Sequence, residues 1–466
     1  MTAQLSNPLQ AFQWDRQPDA FRYVNELVDA FIAECPAAAK LAQRMRDETG
    51  TRFYDWVGHI QLNRRDPRLR DLNAVGYTAQ KDYKTFAVFS HDGGIFPTIV
   101  VTDGHFEIGI KAELVADYLA ANNLDVPIEG GPLADVRLAK VCTCGQNSLV
   151  VIERHGDNTF EYLANGPSKL EADAQRKLLR LHHLERLRMR KRDFETDEEG
   201  FAHANKIIDD SIADLGVHLT CDLFFRAERE YWQRRNRAAQ VQYARQEKLG
   251  LGWGNHDHHT YRCSRKNFHL LVATWEKLGF HCRERFYAGR EAGWGAQVME
   301  QPITGITTFN DVDLSADELM GDFSHDGLSE RDALGTVGLW CGLHGESFLQ
   351  AGMHHLEAQF DFDALTQQLA AEEGVKTMKP FTNFSYLRQA FTEGERWQVD
   401  STRIESLVKR NLITPQQAEN FREQGAIGSH LENLERNDGF KGFNQTGVSE
   451  IIAATDPRKQ NMPARV

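Results

Sequence analysis

The stretch Gly254-Asn-His-Asp-His-His-Thr-Tyr-Arg262 constrains this chain more than any other. Three histidines fall within four residues, at 256, 258 and 259. In an extended strand alternate side chains share a face, so 256, 258, 260 and 262 project together and His259 projects the other way. From Ser264 to Leu278 the spacing turns helical, with Phe268, Leu271, Val272 and Trp275 on one side. Gly279 then stands where a helix C-terminus favours glycine. His281–Phe286, Gly295–Met299 and Gly305–Phe309 follow as strand candidates. The reading is strand, helix, three strands, with histidine on the first strand. His258 and Arg262 then face one cavity, where a metal and a guanidinium could hold a small carboxylic acid between them. A hydrogen-bonded histidine strand at a domain surface is the plainer alternative.

A second such start lies at Gly352-Met-His-His-Leu-Glu-Ala-Gln-Phe-Asp-Phe-Asp-Ala-Leu365. His355, Glu357 and Gln359 share a face, His354 opposes them, and the aspartates can cap a following helix. Met378–Tyr386 reads as a further strand region. Late in the chain, Glu450 sits among apolar neighbours in Gly447-Val-Ser-Glu-Ile-Ile452, unusual for a carboxylate on a free surface. Two imidazoles and one carboxylate make the facial ligand set of non-haem Fe(II) enzymes, although the same donors hold Zn(II), Mn(II) or Ni(II). His258, His355 and Glu450 are the candidate ligands. Glu300 is the alternative carboxylate, disfavoured because Gln301-Pro302 places it at a strand end.

The remainder of the chain supports an α+β protein, its 466 residues suiting two or three domains or one large enzyme. Residues 1–165 read as an N-terminal α+β module with a helix over 20–48. Residues 166–248 read as a helical connector, 249–456 as the metal-binding domain and 457–466 as a tail. Within the first module, Asp55-Trp-Val-Gly-His59 echoes Asp257-His258 and is compatible with a decayed copy of the same unit, His59 being a strand histidine rather than a ligand. The basic run from Arg176 to Arg192 reads as a solvated helix balanced by the acids at 195–199. With 54 Lys and Arg against 67 Asp and Glu the net charge is −13, which argues against a dedicated nucleic-acid binder. No apolar run approaches a membrane span, and the first residues lack the order of a signal peptide, so a cytoplasmic, non-membrane protein is expected. The seven cysteines are scattered, which suits free thiols in a reducing compartment. Cys142-Thr-Cys144 is an isolated pair and reads as two thiols on one strand face rather than a zinc site.

The histidine motifs resemble those of the 2-oxoadipate dioxygenase/decarboxylases, or hydroxyglutarate synthases, of the vicinal oxygen chelate superfamily. The resemblance covers about residues 254–455. It rests on Asp257-His258-His-Thr-Tyr-Arg262, on His355-Leu-Glu-Ala-Gln359-Phe-Asp and on Gly447-Val-Ser-Glu450-Ile. It implies βαβββ modules forming a half-barrel around Fe(II) held by His258, His355 and Glu450. Arg262 would bind a substrate carboxylate, with Gln359 standing where the family carries arginine. The activity implied is conversion of a small 2-oxo acid and O2 to a hydroxy acid and CO2. A metal-dependent lyase or isomerase on the same fold, or a ligand-binding protein without catalysis, are the rivals.

Overall fold

The structure, a computed structural model, describes residues 14–165, 174–444 and 455–460. The helix expected over 20–48 is split into α1 (Pro18–Glu34) and α2 (Pro36–Arg44). Pro36 causes the break: its ring disfavours helical geometry at the preceding residue, and Cys35 is extended at φ −122°, ψ 97°. The alternating segments that follow form a seven-stranded sheet. Its strands are β1 (Val57–Asn63), β2 (Thr78–Asp82), β3 (Phe86–Ser90), β4 (Thr98–Thr102), β5 (Glu107–Lys111), β6 (Val136–Cys144) and β7 (Asn147–Arg154). The order is β2-β3-β4-β1-β5-β7-β6, with β1 parallel to β4, β5 parallel to β7, and β1 antiparallel to β5.

Helices Ala174–Arg188, Asp197–Leu215, Val217–Gln233 and Arg237–Glu247 intervene before the second sheet. Their apolar faces meet helix Phe268–Lys277 through Phe224, Phe225 and Trp275, which join the largest core cluster. The basic run is only partly solvated. Arg176, Arg186 and Arg188 pair with Asp135, Asp210 and Glu230 near the surface. Arg190 and Arg192, just past the helix end, are buried on Glu228, which is 1% exposed.

The second sheet contains β8 (His256–Arg262), β9 (His281–Tyr287), β10 (Trp294–Gln301), β11 (Ile306–Asp313), β12 (His355–Gln359), β13 (Thr382–Phe384), β14 (Leu387–Phe391) and β16 (Ala426–Arg436), with β15 (Glu395–Trp397) paired to β16 off the main path. The order is β13-β14-β16-β12-β8-β11-β10-β9. Two modules can be read from it. The first is β8, helix Phe268–Lys277, β9, β10, β11, with β8 parallel to β11. The second is β12, helix Phe362–Glu373, β13, β14, β16, with β12 parallel to β16. In each, the first strand pairs with the fourth. The modules join where β8 and β12 run antiparallel. This is the paired βαβββ arrangement expected from the histidine motifs, in an α+β chain. Phe286 of β9 and Phe391 of β14, from opposite arms of the sheet, line one cavity, so the sheet curls around it. The strand region expected at Met378–Tyr386 is short, and β14 follows at once. Helices Ser401–Lys409 and Pro415–Gln424 are inserted before the last strand. No helix among the described residues is long and apolar enough to cross a membrane.

Removing Glu228 leaves two buried guanidinium groups uncompensated. Glu228→Ala is expected to lower unfolding stability by about 3–5 kcal/mol. A urea melt with an unchanged midpoint would show that Arg190 and Arg192 find other partners.

Candidate metal centre

The register of three adjacent strands stacks polar residues that a strand surface would normally hold apart. His258 on β8 lies opposite Glu357 on β12, and Glu357 lies beside Glu432 on β16. His355, two residues before Glu357 and therefore on the same face, lies opposite Thr260 and beside His430. His258 Nε2 and His355 Nε2 approach the same oxygen, Glu357 Oε1, at 2.6 and 2.8 Å. His355 Nε2 is also 3.5 Å from Glu432 Oε2. Donor atoms of His258, Glu357 and Glu432 all lie within 4.8 Å of one another.

Each donor is held from behind. His258 Nδ1 lies 2.8 Å from Asp257 Oδ1, which assigns its proton to Nδ1 and leaves the Nε2 lone pair facing the cluster. Asp257 in turn accepts two bonds from Arg436, at 2.9 and 3.0 Å, and one from Gln359 Nε2 at 2.9 Å. His355 Nδ1 is backed by His430 Nε2 at 3.1 Å. Thr260 Oγ1 donates to Glu357 at 3.2 Å, and Gln389 Nε2 donates to Glu432 at 2.9 Å.

The electrostatics agree with a cation site. Burial lowers His258 to about 4 and holds His355 well below the ordinary imidazole value, so both are neutral and able to ligate. Burial, and then the neighbouring Glu432, pushes the Glu357 carboxyl well above its usual range, and burial raises Glu432 to about 7. Asp257 behaves oppositely: burial works against its charge, but Arg436 and His258 hold it well below the carboxylate range. Among the described residues no Lys or Arg forms an ion pair with Glu357 or Glu432. Two buried carboxyls facing two imidazole lone pairs fit a divalent metal, whose charge would add to the distant Arg436 in offsetting them.

The cavity before these donors measures about 60 Å³. Its wall is aromatic, with Phe286, Trp294, Phe309, Phe381, Phe391 and Phe443, and Asp311 is its further carboxyl. Burial raises Asp311 to about 7, with Arg262 opposing that rise. A larger cavity of about 470 Å³ lies against the first sheet, lined by His59, Lys111, Arg154, Arg229 and His256 among others. No cluster of potential metal ligands among the described residues belongs to it. Size favours the larger cavity, but donor chemistry favours the smaller.

The residues expected from sequence distribute as follows. His258 and His355 converge. Arg262 shares the strand face with His258 but does not line the cavity: its Nε lies 3.6 Å from Asp311 Oδ2, and its guanidinium packs 5.5 Å from the Trp340 ring centre. Gln359 points at Asp257 and buttresses His258 rather than meeting a ligand. Glu300 is on β10, a third strand rather than a fourth, and pairs with Lys441 and Arg283 at 3.0 and 3.8 Å, away from the cluster. Glu450 lies outside the described residues. The described residues bring two carboxyls, Glu357 and Glu432, to the histidines without it, and sequence reasoning had not singled out either as a ligand. The alternation Ser429-His-Leu-Glu432-Asn-Leu434 was the available signal.

No protein-family model matches this sequence, and no curated protein matches it. Solved structures that resemble the chain include a mutant of 4-hydroxymandelate synthase from Streptomyces coelicolor, at 11% identity and TM-score 0.25, covering 86% of this chain and 97% of that one. A glyoxalase superfamily protein from Ralstonia eutropha JMP134 matches at 11% identity and TM-score 0.32, over 57% of this chain and 97% of that one. Methylmalonyl-CoA epimerase from Mycobacterium tuberculosis matches at 11% identity and TM-score 0.23, over 39% and 88%. At these levels no activity transfers from them to this chain.

Asp257 orients His258 without reaching the cluster itself. Asp257→Asn should weaken Mn(II) or Fe(II) binding by about 10–100-fold, measured by anaerobic calorimetry. Equal affinity in the variant would mean that His258 is not a ligand.

Proposed function

We propose that this chain is an Fe(II)-dependent oxygenase acting on a small 2-oxo acid, with His258, His355 and Glu432 as the ligand set and Glu357 adjoining it. The observation that carries this reading is the convergence of both Nε2 atoms on the paired carboxyls of Glu357 and Glu432: both reach Glu357 Oε1, His355 Nε2 lies 3.5 Å from Glu432 Oε2, and among the described residues no Lys or Arg forms an ion pair with either carboxyl. When bound, Fe(II) supplies Lewis acidity toward a 2-oxo carboxylate and the electrons that activate O2.

The protein's own part follows from its residues. Asp257 and His430 fix the two imidazoles, and Thr260 and Gln389 fix the two carboxyls. Phe309 and Phe443, 4.8 Å apart and packed on His258, exclude water from the cluster. The overall conversion proposed is R-CH2-CO-COOH plus O2 to R-CHOH-COOH plus CO2. Among the described residues no Lys or Arg lines the cavity, and its wall is aromatic. We therefore place an apolar group, rather than a second carboxylate, at the far end of the substrate. Arg262 acts through Asp311 at the rim of this wall rather than as a direct carboxylate partner.

One observation favours a second reading, a metal-dependent isomerase or lyase. Asp311 faces the cavity with its carboxyl raised to about 7, which suits a group that takes and returns a proton near neutral pH. Oxygen consumption separates the two readings.

The test is oxygen uptake by the Fe(II)-loaded protein with 2-oxo acids bearing aromatic, aliphatic or carboxylate ends. Turnover with the apolar acids is expected, together with loss of Fe(II) binding in His258→Ala, His355→Ala and Glu432→Ala. Glu300→Ala should bind as before. If Glu450→Ala released the metal while Glu432→Ala retained it, the ligand set would be wrong. Turnover without oxygen uptake would favour the isomerase or lyase.

A further inference from the structure

The structure brings a third cysteine to the pair on β6. Cys142 and Cys144 share a face of that strand, next to a register shift between Lys140 and Cys142. Cys35, more than a hundred residues earlier, sits in the extended joint between α1 and α2. The Sγ separations are 2.7 Å for Cys35–Cys144, 3.1 Å for Cys142–Cys144 and 3.7 Å for Cys35–Cys142. None is a disulfide bond length of about 2.05 Å, and a disulfide would use two sulfurs and strand the third. Thiolates at about 2.3 Å around a tetrahedral ion stand about 3.8 Å apart, near the widest of the three separations.

A second feature favours a thiolate at Cys144, whose thiol is held below its usual value by hydrogen bonds, while burial pushes Cys35 and Cys142 up until a cation offsets it. Helix α2 spans nine residues and begins at Pro36, so its first free amides are those of Ala37 and Ala38. The Ala37 amide donates to Cys144 and the Ala38 amide to Cys35. A helix N-terminus stabilises negative charge, and thiolates rather than thiols ligate metals. Cys35 is buried, whereas Cys142 and Cys144 are partly exposed, so an ion and one exogenous ligand can enter from solvent.

We propose that Cys35, Cys142 and Cys144 bind one thiophilic cation, Zn(II) or Cu(I), separate from the centre on β8, β12 and β16. The three donors are sulfur, which selects soft and borderline ions over Fe(II) held by nitrogen and oxygen. The ion would tie the α1–α2 joint to the β6–β7 hairpin, two parts of the first half more than a hundred residues apart in sequence.

The experiment uses the full chain, purified under reductant and stripped of metal. Co(II), Zn(II) and Cu(I) are added anaerobically in separate arms, the last two against a competing chelator. Co(II) should give an intense near-ultraviolet thiolate band that Zn(II) or Cu(I) abolishes, and the tighter of the two against the chelator identifies the ion. The band should persist in His258→Ala and vanish in Cys144→Ser. Because a cysteine variant can fold poorly, alkylation of the unaltered chain gives a second reading. Zn(II) should protect Cys142 and Cys144 from iodoacetamide, mapped by mass spectrometry, and Mg(II) should not. A wild-type chain without the thiolate band, unprotected by Zn(II), would overturn the proposal, as would a Cys35–Cys144 disulfide in the reductant-purified protein.

Discussion

Asp257 holds together what the candidate centre needs. Its carboxylate receives His258 from β8, Gln359 from the end of β12 and both arms of Arg436 from the end of β16. One buried charge therefore ties three neighbouring strands at the point where the two βαβββ modules meet. A buried carboxylate is costly unless its hydrogen-bonding capacity is filled, and here Arg436 neutralises it while the remaining donors fill it. Ligand direction and module packing thus depend on the same group. A change that disturbs one disturbs the other.

The two sheets, of seven and nine strands, share a central pairing but not a chemistry. In the first sheet β1 and β5 meet antiparallel, as β8 and β12 do in the second. His59 on β1 lies opposite Gly109, where His258 lies opposite Glu357. With no side chain at Gly109, the His59 ring occupies that space: a Cβ there would fall 1.9 Å from the ring. Burial lowers His59 to about 3, and it packs edge-on against Phe160. The position that carries a carboxylate in one sheet is filled by an imidazole in the other.

The βαβββ order and the two first-strand histidines were legible because period and punctuation agree there: alternation at 256–262, helical spacing to Gly279, then alternation again. Glu432 was not, because β16 mixes Ser, His, Glu and Asn with its apolar residues and reads as a surface. Each of those polar groups is buried only because a partner on another strand satisfies it, and pairing across strands is not written in local sequence. Two helices inserted before β16 also moved the fourth strand away from where a compact module would put it. Arg262 was placed on the correct strand face, but its reach toward Asp311 depends on β11, which alternation within β8 does not report. The cysteine pair on β6 was visible, while its third member lies across a proline break in a helix whose continuity the apolar spacing overstated.

The order of the candidate ligands along the chain bears on how the protein is made. His258 and His355 emerge from the ribosome well before Glu432, and the last strand must slot beside β12 to bring that carboxylate in. Arg436, which steadies Asp257, arrives with it. Until then the nascent chain carries two histidines, Glu357 and an aspartate that Arg436 does not yet support, so the donor set is incomplete and its first imidazole is not yet oriented. On the proposed ligand set, an ion would be selected by the nearly finished fold, where cavity shape and donor geometry, rather than the affinity of loose imidazoles, would decide which ion stays.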